Sequence, residues 1–450
     1  MNTINSSVNI VVLGAAESGV GAAVLAIKKG LSVFVSDNGT IKEEYKRLLN
    51  LHHIPFEENG HTVEQVLSAK EIIKSPGIPE KSEIMKKIRK AGIPVLSEIE
   101  FAGRYTKAKM IGITGTNGKT TTTMLVYHIL QKAGLKVGLG GNIGKSFALQ
   151  VAEHDFDYYV LELSSFQLDD MHSFRCNIAI LTNITPDHLD RYNYELKNYV
   201  MSKFRILQNQ TPEDVFIYCA DDAITAEFLP STTVTAHAYQ FSIKKPLTEG
   251  AWLEDQTLNI LTKHNPLTMF IHDLALQGKH NLYNSMAAGI ASRVLDIRKE
   301  VIRESLSDFR NVEHRLEFVA AVHGIEFVND SKATNINSTW YALESFTQPI
   351  ILILGGVDKG NDYSTLLELV KDKVKAIVCL GTDNKKIIKT FKNIVSSIVE
   401  TASAEEAVKV SYSLGKKGDV VLLSPACASF DLFENYEDRG RQFKKAVRNL

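Results

Sequence analysis

Cysteine, charge of one sign and long apolar runs are all scarce in this sequence, and each shortage removes a class of function. The four cysteines, Cys176, Cys219, Cys379 and Cys427, lie far apart and form no Cys-x-x-Cys pair. That excludes a zinc ribbon or a disulfide framework and fits a reducing cytosol. Lys plus Arg total 51 against 52 for Asp plus Glu, a formal net charge of -1. No strong field therefore exists to concentrate DNA, RNA or an anionic membrane surface. Residues 8–27 are mostly apolar, but no cation precedes them, since the first lysine is Lys28, and Glu17 and three glycines interrupt the run. A secretory signal wants positive charge first, and a membrane span does not want a glutamate at its centre. The stretch reads as a buried strand followed by a helix, and a soluble, cytoplasmic chain without membrane insertion is expected. Solenoid repeats and low-complexity segments are also absent, and nothing amphipathic or patchy asks for an obligate oligomer, so a monomer is expected.

What remains is the composition of an ordinary globular protein, 44% hydrophobic and 23% charged over 450 residues, long enough to bury a core without staples. At roughly 150 residues per domain, about three domains are expected. One pattern recurs at matching intervals, a short β-branched run ending in glycine: Asn9-Ile-Val-Val-Leu-Gly14, Met110-Ile-Gly-Ile-Thr-Gly115 and Ile350-Ile-Leu-Ile-Leu-Gly-Gly356. Such runs followed by helical segments read as βαβ units on buried parallel strands. Further strands are predicted at 31–36, 158–163, 177–183, 325–329, 376–380 and 419–424. The pattern breaks at Ala91-Gly-Ile-Pro94, the first unit closes near residues 94–100, and the domain limits fall at 1–104, 105–311 and 312–450. The stretch from about 228 to 275, richer in Thr and alternating residues, reads as an antiparallel β insertion.

Residues 110–122 carry the strongest chemical signal. A strand runs into Gly115-Thr116-Asn117-Gly118, then Lys119, Thr120 and Thr121 open a helical segment. Glycines in this position let backbone N–H groups wrap phosphate oxygens at a helix N-terminus. Lys119 would reach the terminal phosphates, and the Thr120 hydroxyl would sit on Mg2+. The spacing departs from the strict phosphate loop, because Ile113 stands five before Gly118 where a glycine is expected. Gly14-Ala-Ala-Glu-Ser-Gly19 is a weaker relative of the dinucleotide fingerprint, with Asp37 ending the next strand at about the right distance. Ala16 replaces its middle glycine and Glu17 adds negative charge, so it reads equally as a tight strand–helix connection.

Downstream, Leu161-Glu162-Leu-Ser-Ser-Phe-Gln167 and Asn183-Ile-Thr-Pro-Asp-His188-Leu-Asp-Arg191 both follow apolar strands. Both therefore sit at strand C-terminal ends, where open α/β sheets place ligand chemistry. Glu162 and His188 are candidate Mg2+ ligands beside a nucleotide.

Together with Gly278-Lys-His280-Asn281-Leu-Tyr-Asn284, these motifs resemble the Mur ligases, which build the peptidoglycan stem peptide. Asp330-Ser-Lys-Ala-Thr-Asn335, Gly355-Gly-Val-Asp-Lys359-Gly and Ser424-Pro-Ala-Cys-Ala-Ser-Phe430 resemble the members that add the second amino acid, D-glutamate, to UDP-N-acetylmuramoyl-L-alanine. The Asp-Asn-Pro-Arg motif of the diaminopimelate- or lysine-adding members is absent. The resemblance covers nearly the whole chain. It implies three α/β domains, each an open, mainly parallel sheet with flanking helices: N-terminal Rossmann-like, central P-loop ATPase-like and C-terminal Rossmann-like. It also implies ATP, two Mg2+ ions and an acyl-phosphate intermediate.

Residue by residue, the resemblance aligns Lys203, in Tyr199-Val-Met-Ser-Lys203, with a carbamylated lysine that joins Thr120, Glu162 and His188 at the metal. From the residues alone, Lys203 is a surface helix lysine. Asn281 and Asn284 are implied adenine contacts, although helix capping is the plain alternative for Asn. Arg315 and Asp330 are implied to reach toward ribose and phosphate. Ser18, Gly19, Asp37, Ser75, Gly77 and Asn142 are implied contacts of the UDP substrate. Lys332, Thr334, Lys359, Ser429, Phe430 and Tyr436 are implied clamps on a dicarboxylate amino acid, with Tyr436 standing where the family often has Phe. Two other classes stay open on the residues alone: a nicotinamide oxidoreductase built on the first domain, and a phosphate-loop ATPase acting as a regulatory switch. Among ligases, folylpolyglutamate synthase is the nearest different chemistry, and the N-terminal domain of about 100 residues argues against it.

Overall fold

The computed structural model describes residues 9–263, 266–309 and 313–450. Three sheets carry the chain, which divides into two compact units. One unit is the chain up to Leu274 together with Tyr283–Asp308; the other is Ala275–Leu282 together with the chain from Phe309 onward. The expected domain limit between residues 311 and 312 lies outside the described residues.

The first unit holds two sheets. The N-terminal one has five parallel strands in the spatial order Phe56–Glu57, Val33–Ser36, Ile10–Leu13, Glu71–Lys74, Val95–Leu96. Its central strand Ile10–Leu13 is buried throughout, as continuous apolar strands covered on both faces must be. The second sheet has nine strands, ordered Leu267–Phe270, Thr257–Leu261, Gly250–Glu254, His237–Ser242, Val215–Cys219, Ile178–Leu181, Lys109–Thr114, Tyr158–Glu162, Val137–Gly141. One apolar cluster runs from Val12 and Leu25 to Phe147, Tyr159, Leu161 and Phe216, so the two sheets share packing.

The segment read as an antiparallel insertion is a continuation of the central sheet. Its first strand, His237–Ser242, pairs in parallel with Val215–Cys219. Only Gly250–Glu254, Thr257–Leu261 and Leu267–Phe270 form an antiparallel meander. The alternation seen in the sequence is real there: Leu258, Ile260, Leu267 and Met269 face inward while Thr268 and Phe270 face solvent. Period 2 reports a one-sided strand, and does not report which strand it pairs with.

The second unit holds six strands ordered Glu317–Val322, Ile325–Asn329, Val420–Ala426, Ile350–Gly355, Val374–Leu380, Ser397–Thr401. All neighbours are parallel except the first pair. Side chains alternate between two cores, with Ile350, Leu352 and Leu354 in one and Ile351 and Ile353 in the other, because successive strand residues point to opposite faces. The three-domain α/β architecture expected from the recurring strand–glycine pattern is the one observed. Among the described residues, no helix is long and apolar enough to cross a membrane.

Candidate active site

The strand Lys109–Thr114 lies inside the central sheet, and the loop leaving it opens the helix Lys119–Lys132. Gly118 has φ +80, and a Cβ there would lie 2.4 Å from Asn284 Oδ1, so both backbone and space demand glycine. The neighbouring strand end braces the loop. Thr182 Oγ1 donates to the Asn117 carbonyl at 2.6 Å, Asn117 N–H to Asn183 Oδ1 at 3.0 Å, and Thr116 N–H to the Asn183 carbonyl at 2.8 Å. Lys119 Nζ folds back over the cradle and donates to the carbonyls of Gly115, at 3.0 Å, and Thr116, at 2.8 Å. Thr120 and Thr121 are buried in the first helical turn, where helix N–H groups favour an anion.

The Thr120 hydroxyl donates to Glu162 Oε2 at 2.7 Å, and Asn142 Nδ2 donates to Glu162 Oε1 at 2.9 Å. Glu162 ends the strand Tyr158–Glu162 and is 2% exposed. The structure thus joins Asn142, expected at the UDP substrate, to the carboxylate of the phosphate-loop site. Four residues beyond Glu162, Phe166 packs edge-to-face on His188 with ring centroids 5.3 Å apart. His188 has φ +52, a left-handed conformation that a non-glycine residue adopts at a cost and that often marks a functional turn.

Lys203 is no surface lysine: it is 2% exposed on the helix Leu196–Phe204. Burial pushes its ammonium well below the ordinary lysine value, Lys119 adds to that, and Asp187, Asp169 and Glu162 oppose it. Tyr199 ties the lysine to the loop, with its hydroxyl 3.1 Å from Thr116 Oγ1 and its ring 4.7 Å from Lys203 Nζ. A buried carboxylate beside a helix-terminal hydroxyl suits a hard divalent cation with oxygen ligands. The residues present fit Mg2+ at Thr120 and Glu162.

In the N-terminal sheet, three loops at adjoining strand ends meet. Asp37 Oδ2 accepts from Ala15 N–H at 2.6 Å, and Ser75 Oγ donates to the Gly14 carbonyl at 3.4 Å. Gly19 is buried in the first turn of Glu17–Lys28, and a Cβ there would lie 1.9 Å from the Gly14 carbonyl, so close packing alone already requires glycine. Ser18 is half-buried beside it, and Gly77 is exposed with open space around it.

The second unit assembles its expected residues at the ends of three adjacent strands. Asp330 to Thr334 follow Ile325–Asn329, Cys427 to Phe430 follow Val420–Ala426, and Gly356 to Lys359 follow Ile350–Gly355. The last two loops are pinned by Val357 N–H donating to the Ala428 carbonyl at 2.8 Å. Burial raises the Asp330 carboxyl to about 6, against the pull of Arg315, and Ser424 Oγ and Leu316 N–H both donate to it. Lys332 Nζ donates to the Tyr436 hydroxyl at 3.0 Å and lies 4.9 Å from its ring. Ser429 is buried, whereas Lys359 and Phe430 are exposed.

The two asparagines of the helix Lys279–Val294 differ in role. Asn284 Oδ1 accepts from Thr122 Oγ1 at 3.2 Å beside the phosphate loop, and Asn281 Nδ2 donates to the Gln277 carbonyl at 2.9 Å. Burial and Arg315 push His280 down to about 4.

Sequence reasoning missed several supports. Thr182 and Asn183 brace the phosphate loop, and Tyr199 links it to Lys203. In the second unit the buried Arg439 donates to the Ser331 hydroxyl and to the carbonyls of Ser331 and Cys427, joining two of the three loops. Asn183 opens the motif that ends in His188 and Tyr199 stands four residues before Lys203, and those places in the motifs were the available signal. Arg439 offered none, since an arginine in a charged helix normally faces water.

Comparison with known proteins finds matches along nearly the whole chain. Residues 8–84 match the profile described as MurD N-terminal domain, 113–292 the Mur ligase middle domain, and 314–427 the Mur ligase glutamate ligase domain. The UDP-N-acetylmuramoylalanine–D-glutamate ligase of Bacteroides fragilis is 58% identical over 442 residues, covering 98% of this chain and 99% of the relative. Enzymes of the same name from Christiangramia forsetii and Cytophaga hutchinsonii are 55% and 52% identical over 98% and 99% of this chain, and 99% of each relative. Among solved structures, UDP-N-acetylmuramate–alanine ligase MurC from Thermotoga maritima superposes with TM-score 0.64 at 20% identity, covering 98% of this chain and 99% of that one. A pseudomurein peptide ligase type C from Methanothermus fervidus gives 0.63 at 21% identity with the same coverage. These structural likenesses speak to the fold.

Proposed function

The chain belongs to the Mur ligase family, and we propose that it joins D-glutamate to UDP-N-acetylmuramoyl-L-alanine at the expense of ATP, in peptidoglycan precursor synthesis. The observation that carries this reading is the buried Thr120–Glu162 contact at the mouth of the phosphate loop, set in a chain whose relatives along its whole length bear that ligase name. It is an ATP-dependent, amide-bond-forming ligase.

Condensing a carboxylate with an amine is uphill in water, so the carboxylate must be activated. An oxygen of the alanyl carboxylate attacks the γ-phosphorus of ATP, ADP leaves, and an acyl phosphate results. The glutamate amine, having lost its proton, then attacks the acyl carbon, and the tetrahedral intermediate expels inorganic phosphate. Such transfer depends on positioning and on cations that meet the developing charge. Lys119, already placed over the cradle, exchanges its two carbonyl acceptors for phosphate oxygens, with Gly115, Thr116, Asn117, Gly118 and Thr121 lining the loop. Mg2+, as two ions, would neutralise phosphate charge at Thr120, Glu162, His188 and Lys203. Lys203 suits that place once carbamylated. Burial favours its neutral amine, the form that adds to CO2 with loss of a proton, which would turn a repelling cation into a carboxylate-like ligand.

The other assignments extend the same reading. Asn281, Asn284, Arg315 and Asp330 take the nucleotide; Ser18, Gly19, Asp37, Ser75, Gly77 and Asn142 take the UDP substrate. Lys332, Thr334, Lys359, Ser429, Phe430 and Tyr436 take glutamate, for which cationic and polar clamps are needed. The working units are residues 1–104, 105–311 and 312–450, in a cytoplasmic monomer. The test is phosphate release from ATP with UDP-N-acetylmuramoyl-L-alanine, comparing D-glutamate, L-glutamate, lysine and diaminopimelate. Release stimulated by D-glutamate alone is expected. Stimulation by another amino acid overturns the glutamate clamp, and folded, ATP-binding protein that responds to none is a switch rather than a ligase.

A further inference from the structure

The turn Leu189–Arg191 begins immediately after His188, and its last side chain leaves the metal-type site. Arg191 Nη2 donates to the carbonyl of Pro76 at 3.0 Å, in the middle of the Ser75-Pro-Gly77 loop of the N-terminal sheet. The same guanidinium stacks on Phe166, with its carbon 4.4 Å from the ring centroid. Phe166 touches His188 edge-to-face and lies parallel to Tyr192, with 6.1 Å between centroids. Arg191 therefore cannot shift without disturbing either the His188 turn or the Ser75 loop. A planar, stacked cation with a directed N–H fixes geometry in a way an ammonium does not.

A separate contact holds the start of the same loop. Lys74, the residue before Ser75, is 6% exposed and lies 2.8 Å from Asp170 Oδ2, itself 5% exposed. Asp170 caps the C-terminal end of the short helix Ser165–Asp169, and that helix also carries Phe166. Its N-terminal end is fixed by a capping box between Ser164 and Gln167, two residues beyond Glu162. One short helix, rooted at the end of the Glu162 strand, thus anchors the loop at Lys74 through Asp170 and at Pro76 through Arg191. Water-poor ion pairs of this kind set position more than they add stability.

We propose that Arg191 is a positioning residue that registers the Ser75–Gly77 loop against the Glu162 and His188 turns, so that the UDP-bound substrate presents its carboxylate to the γ-phosphate. This rests on the reaction proposed above. The Lys74–Asp170 pair is the second anchor of the same device.

The test is steady-state kinetics of Arg191→Met, in parallel with wild type, for each of the three substrates, together with the thermal midpoint. The KM for UDP-N-acetylmuramoyl-L-alanine rises about tenfold and kcat falls a further several-fold, while the KM values for ATP and D-glutamate stay within about twofold. Arg191→Lys, which keeps a cation but loses the stacked fork, falls between the two and carries the test if the Met variant does not fold. An unchanged KM for the UDP substrate, or a parallel rise in all three, overturns the positioning role. Wild type without D-glutamate-dependent phosphate release overturns the reaction itself, and the positioning role with it; active wild type with an indifferent Arg191→Met overturns the positioning role alone.

Discussion

Two glycine loops in this chain share a backbone plan and differ in everything around it. Gly14–Gly19 and Gly115–Gly118 each leave a parallel strand and open a helix. Around the second gather Lys119, Lys203 and a row of buried threonines; around the first stand Asp37, Glu17 and, behind Ser146, Glu98. Glu17 Oε1 accepts from Ser146 N–H at 3.1 Å, and Glu98 Oε1 accepts from Ser146 Oγ at 2.5 Å. Burial acts on both sets with opposite sign: it pushes Lys203 well below its ordinary value and raises the Glu98 carboxyl to about 7. In each case the neutral form is favoured, as removal from water requires. The helix N-terminus is thus a general offer to anions, and under the proposed function the flanking side chains decide which loop serves phosphate transfer and which holds part of a larger ligand.

That contrast can be broken most severely at the second loop. Lys119→Met is expected to lower kcat for phosphate release about 10²- to 10³-fold, with the thermal midpoint nearly unchanged. A loss smaller than tenfold would mean the two loops are chemically closer than their side chains suggest. Lys203→Ala should cost about 10²-fold, and added short carboxylates should restore part of it; full activity without them sinks the metal-site assignment of this lysine.

At the first loop the sharper probe is pH. Glu98 titrates at about 7 when folded against 4.5 in the free chain. The unfolded chain sheds this proton first, so the contribution is complete below pH 4.5 and is lost as pH rises through 7. Denaturant titrations should show about 3 kcal/mol of stability disappearing across that window, and Glu98→Gln should flatten the slope. Ala16→Gly, which restores the dinucleotide-type glycine, is expected to change the KM for the UDP substrate by less than about twofold. Appreciable affinity for a dinucleotide in that variant would show that one methyl group, and not the surrounding acids, separates the loops.

The same contrast explains what could be read in advance. The phosphate loop and Thr120 were legible because their chemistry is local: a strand, a glycine turn, a cation and a hydroxyl within a few residues. Glu162, 42 residues on from Thr120, was legible as a carboxylate ending an apolar strand. The strands 350–354 and 376–380 were legible because burial on both faces leaves unbroken apolar runs. The strand Glu71–Lys74 escaped because its two apolar residues are flanked by charge, whereas Val215–Cys219, Val-Phe-Ile-Tyr-Cys, is an apolar run that was legible and was missed. Residue Lys203 looked like a surface lysine because nothing in its own helix announces that the helix buries it. Arg191 was visible within a motif, but its partner Pro76 lies more than a hundred residues away, and only the pairing of two sheets in one unit brings them together. Arg439 is hidden because its partner Ser331 lies 108 residues away, on a loop that the fold of the second unit brings to it.

The resting posture of Lys119 has a consequence for anything designed to occupy this loop. With its ammonium already satisfied by the Gly115 and Thr116 carbonyls, the side chain acts as a built-in counterweight. A guest must outbid two neutral acceptors before it can recruit the lysine. Polyanions do so easily, whereas an uncharged mimic of adenosine finds the lysine content where it is and must win its affinity elsewhere.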